Sequence, residues 1–92
     1  MVLRELAVAK KQAYDELGAI HDYEYSILVG EMEISPQIYC ESYGVKVKEY
    51  EGEQEEIEDI TISASRIDEL IDLLVRNVVT PCTLRNVVED WL

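Results

Sequence analysis

The sequence predicts an α+β fold, an antiparallel sheet of about three to four strands covered by two C-terminal helices. Three observations carry this expectation. Two neighbouring runs alternate apolar and polar residues with a period of two, on either side of a break at Ser35-Pro36-Gln37. Two later stretches, Ile67 to Val78 and Leu84 to Trp91, repeat apolar residues at helical spacing. A chain of 92 residues fits one small domain, residues 1–92, with no room for two.

The N-terminal segment reads two ways. Leu3, Leu6, Ala7, Tyr14 and Leu17 recur roughly at helical spacing, with Gly18 placed to end a helix and Lys10 interrupting the stripe. A strand from Leu3 to Tyr14, closed by a turn near Asp15 to Gly18, fits equally well.

The next two runs have one reading. Tyr23, Tyr25, Ile27 and Val29 alternate, and so do Tyr39, Glu41, Tyr43, Val45 and Val47. Pairing Ile34 with Ile38 across a three-residue loop sets Val29 against Tyr43, Ile27 against Val45 and Tyr25 against Val47. One face is then apolar and aromatic while Lys46 and Lys48 point the other way, and a slip of one residue would invert every side chain. Gly30 and Gly44 inside these strands mark a bulge or a close backbone approach. Glu49 to Asp59 is an acidic link around Gly52, and Ile57, Ile60 and Ile62 suggest an irregular edge strand.

The helices follow. Ser65 with Asp68 has the form of a capping box, and Ser63 is a rival cap. Ile67, Leu70, Ile71, Leu74, Val75 and Val78 form one apolar stripe, with Asp68 and Glu69 early and Arg76 late, as the helix dipole favours. Thr80-Pro81 supplies a cap and a first-turn proline for a second helix, whose stripe is Leu84, Val87, Val88 and Trp91.

Three stretches, CESYGVKV, DITISASRIDELIDLL and the terminal TPCTLRNVVEDWL, resemble the blocks of a domain family of unknown function from Clostridium-like Firmicutes. The resemblance implies a bacterial, cytoplasmic, single-domain protein and an extended N-terminal segment that joins the sheet. It supplies no catalytic residue.

Charge narrows the function classes. Twenty acidic against eight basic residues give a net charge of -12, which repels phosphate backbones and anionic membrane surfaces and suits a basic protein partner. No stretch approaches the roughly 20 apolar residues that span a bilayer, and no apolar leader follows the start. Cys40 and Cys82 stand far apart and form no ligand-spaced motif, so reduced thiols in a cytoplasmic protein are expected. No Gly-rich phosphate loop, nucleophile elbow or zinc-protease motif occurs, and no cofactor is expected.

The candidate sites are correspondingly sparse. In the register above Glu31 lies opposite Glu41, a carboxylate pair suited to a hard metal or acid–base chemistry unless the hairpin tip stands in water beyond the packed region. Cys82 falls in the first turn of the last helix, where the positive helix end lowers a thiol pKa, yet no histidine is near it in sequence. His21-Asp22 precedes the first clear strand and reads as a surface turn or a tuned base. Tyr39 and Tyr43 on the hairpin, and Glu89, Asp90 and Trp91 at the C-terminal end, are candidate interaction residues, with Trp91 also fitting a core anchor. The expected function is a noncatalytic protein-interaction or regulatory module that binds a basic partner or a second copy of itself. A small metal-dependent module built on the hairpin carboxylates, and an acidic mimic of nucleic acid, are the alternatives.

Overall fold

A computed structural model describes residues 2–92. The chain runs β1 (Val2–Tyr14), β2 (Ile20–Ser35), β3 (Ile38–Glu49), β4 (Gln54–Thr61), α1 (Ala64–Arg76) and α2 (Pro81–Trp91). The strands form one antiparallel meander in the order β1-β2-β3-β4, and both helices pack on one face of it.

The N-terminal segment takes the extended alternative. Asp15 accepts the backbone N–H groups of Leu17 and Ala19, both at 2.9 Å, and Gly18 at φ 82° closes the turn to β2. Gly18 therefore ends a hairpin, not a helix. Two residues of β1 have no partner on β2, since the register slips between Val2 and Arg4 and between Ala7 and Ala9.

The β2–β3 register is the expected one: Tyr25 pairs with Val47, Ile27 with Val45, Val29 with Tyr43 and Glu31 with Glu41. The connection differs. Ser35 pairs directly with Ile38, so Ile34 is displaced by a register shift and the loop is the two residues Pro36 and Gln37, the latter at φ 64°. β4 begins at Gln54, earlier than the isoleucine spacing indicated, because the turn after β3 is tight: the Gly52 N–H donates to the Glu49 carbonyl. Ile62 lies past its end and is exposed.

The core forms where the helices meet the sheet. Tyr25, Ile27, Val29, Val45 and Val47 from the strands close against Ile67, Leu70, Ile71, Leu74, Leu84 and Val88 from the helices. Ser63, not Ser65, caps α1, with its hydroxyl accepting the Arg66 N–H at 3.3 Å. The helix thus starts two residues early, and Asp68 lies beyond its first turn. α1 also stops at Arg76, so Val78 belongs to the link, in a left-handed conformation at φ 48° that is costly for a β-branched residue. The link is tied down by the buried Tyr25 hydroxyl, which donates to the Val79 carbonyl at 2.9 Å. Burial pushes that phenol up to about 12, so it remains a donor at any ordinary pH.

Among the described residues no second layer covers the other face of the sheet, yet Leu28, Ser26 and Ser42 are buried on it. Two features close it. Lys46 on β3 reaches across β2 to Glu5 on β1 at 3.1 Å, and the aliphatic part of the lysine lies over this middle row. On the far side the Ser42 hydroxyl donates to Asp59, within the bulge of β4 between Ile57 and Thr61.

Candidate functional site

The strands differ in length, and that difference makes the candidate site. Among the described residues, pairing of β1 with β2 runs to Val2–Gly30 and pairing of β3 with β4 runs to Tyr43–Thr61. β2 and β3 continue together to Ser35 and Ile38. Residues 31–41 therefore project past the packed body as a two-stranded arm, along a molecule 53 Å in its longest dimension.

Alternation gives the arm two unlike faces. Glu31, Glu33, Tyr39 and Glu41 share the face that continues Val29 and Tyr43. Met32, Cys40 and Ile38 share the opposite one. Ile34, Ile38 and Tyr39 are 59%, 55% and 58% exposed. No basic residue lies between Glu31 and Val45. An isolated two-stranded ribbon is marginal in water, so nothing in the arm's own burial explains its extension.

The predicted site residues sort as follows. Glu31 and Glu41 do face each other across the ladder, at the root of the arm and in solvent. Glu41 is already engaged, accepting the Tyr43 hydroxyl at 2.5 Å, and that bond raises the Tyr43 pKa. Among the described residues no group of three or more His, Cys, Asp or Glu side chains stands in metal-holding geometry. Trp91 packs half-buried against the core, with the Arg66 guanidinium 4.3 Å from its ring centre. Glu89 and Asp90 beside it are exposed. Arg66 lies near the start of α1, which follows Thr61 opposite Tyr43, so the end of α2 shares the arm-root end of the sheet with the carboxylate pair. Cys82 is exposed, with its sulfur 3.3 Å from the Thr80 hydroxyl, and Cys40 is half-buried; both thiols are free.

Two features at the opposite end escaped the sequence reading. His21 is not in a turn but on β2, stacked on Tyr23, with Nδ1 2.5 Å from Glu49 Oε1 and Nε2 2.9 Å from Asp15 Oδ2. Extending the β2–β3 register by two pairs puts Tyr23 against Glu49, one same-face step from His21, so the signal was present. The ring bonds to Asp15 and Glu49 raise the His21 pKa, and the His21 bond holds Asp15 below its usual range. The imidazolium donates from both nitrogens and joins the β1–β2 turn to the end of β3.

A pH dependence follows. A raised folded-state histidine pKa contributes stability that is complete below the ordinary value of 6.5 and disappears as pH climbs through the folded value. The depressed Asp15 contributes stability above 3.8 that disappears as pH falls through its folded value. The melting temperature of the native chain is expected to fall as pH rises above about 6.5, and by less in His21→Gln. Parallel profiles would show that the clasp contributes nothing.

The second feature is a shallow groove of about 470 Å³ beside this clasp, lined by Lys10, Lys11 and Lys48 together with Asp22, Glu24 and Tyr50. Lys10, Glu24 and Lys48 stand side by side across three strands, with Lys10 and Glu24 at 3.9 Å. Three of the chain's four lysines thus gather at the end remote from the acidic arm.

A family model described as a family of unknown function (DUF6514) matches residues 4–92. No curated protein and no solved structure matches the chain. Among the described residues no helix is long and apolar enough to cross a membrane.

Proposed function

The chain belongs to the family of unknown function DUF6514, and within it we propose a noncatalytic protein-interaction module whose working part is the projecting arm. The observation that carries this reading is the arm itself. It exposes apolar side chains and unpaired strand edges that the body could have covered. Its other face is acidic, and so is the chain. The partner surface that fits is an extended segment alternating basic and apolar residues, adding as a strand to the arm and placing its cations over Glu31, Glu33 and Glu41. The same charge argues against nucleic acid as the partner. Free thiols suit a cytoplasmic setting.

Nuclear magnetic resonance titration of the whole chain tests the reading. An extended peptide alternating lysine and valine is expected to shift amide signals of residues 31–41, and an acidic analogue is not. Equal shifts with both peptides, or shifts confined to other regions, would refute it. Divalent cations serve as the control for the carboxylate-pair alternative, which requires that they shift Glu31 and Glu41.

A further inference from the structure

We infer that one partner of this chain is a second copy of itself, joined antiparallel through β1 to make a continuous eight-stranded sheet. The inference deepens the interaction-module reading and rests on it.

β1 is an edge strand of 13 residues. Among the described residues no strand lies beside its outer backbone groups, and an uncovered edge is a template for another strand. The side chains point the same way. Leu3, Leu6 and Val8 are 53%, 44% and 49% exposed, since the helices cover β2 and β3 and barely reach β1. The two register slips limit flat pairing to the stretches Arg4–Ala7 and Ala9–Tyr14, which excludes an arbitrarily long zipper.

Charge selects the occupant. β1 is the basic strand of an acidic chain, with Arg4, Lys10 and Lys11 against Glu5. It begins beside the arm root, where Val2 meets Gly30, and carries its lysines at the other end, where Lys10 meets Glu24 and Lys11 meets Tyr23. Antiparallel pairing of two β1 strands reverses one copy relative to the other. The lysine end of each copy then lies toward the acidic arm of its partner, with Glu31 and Glu33 on the strand next to β1. A two-fold axis repeats that match at both ends and closes the assembly at two copies. A parallel pairing would set arm against arm and lysines against lysines, which charge opposes.

Sedimentation of the full chain from micromolar to millimolar concentration tests this, together with hydrogen exchange at the upper limit. The expected result is a mass that doubles from 10.6 kDa, with β1 amides protected as concentration rises. The double variant Leu6→Lys/Val8→Lys, both at exposed positions, is expected to sediment as a monomer with an unchanged circular dichroism spectrum. A monomer at every concentration overturns the inference. So does a dimer whose β1 amides exchange freely, a readout on the native chain that stands even if the variant misfolds. A monomer whose arm still takes the basic peptide overturns the self-pairing alone. Failure of both overturns the interaction-module reading as well.

Discussion

Gly44→Ala is expected to cost about 3 kcal/mol or more of folding stability, measured by urea denaturation. A methyl at this position would stand 2.1 Å from the Ile57 carbonyl oxygen, 2.9 Å from the Glu58 Cα and 3.0 Å from the Ile57 carbonyl carbon. All three are backbone atoms and cannot swing aside. Relief requires β4 to move off β3, between the Val45–Ile57 and Tyr43–Thr61 pairs that flank the contact. That movement also pulls Asp59 from Ser42 and uncovers the sheet's thinly closed face. A domain this small has about 5–15 kcal/mol in total, so the loss is a large share of it. By contrast, a methyl on Gly18 meets open space, and its penalty comes only from the positive φ. A Gly44→Ala protein as stable as the native chain would mean that β4 does not cross so close to β3.

The β2–β3 register and both helices were legible because each rests on a local period that burial enforces. A one-residue slip between Tyr25 and Val47 would turn the lysines inward, and the helix stripes can face only the sheet. β1 was ambiguous for the same reason. An edge strand that is barely covered has no buried face to impose alternation, so Leu3, Leu6 and Val8 fall where sterics alone permit, with two slips mixing the period. The displaced Ile34 hid the two-residue turn in the same way.

The site was legible only in part. Register alone gave the Glu31–Glu41 juxtaposition and the solvent-exposed tip. The His21 clasp needed a third element, the Asp15 turn, whose place depended on β1 being a strand. The lysine groove likewise needs β1 beside β2 to bring Lys10 next to Glu24 and Lys48.

Removal of the arm separates structure from interaction. Gly30 pairs with Ser42 at its root, so an Asn-Gly turn can join those two residues in place of residues 31–41. The buried core of Tyr25, Val45, Leu70, Leu74 and Leu84 includes no residue of the deleted segment. Among the described residues, the side-chain hydrogen bond that joins the arm to the body is the exposed Tyr43–Glu41 contact, which contributes little in solvent. Binding of the basic peptide, by contrast, is expected to vanish entirely.

The most direct test is therefore thermal unfolding of the arm-deleted chain, read alongside its peptide binding. The account predicts a single cooperative transition within a few degrees of the native one and no detectable binding. Loss of cooperative unfolding would show that the arm belongs to the folded body, and retained binding would place the interaction surface elsewhere.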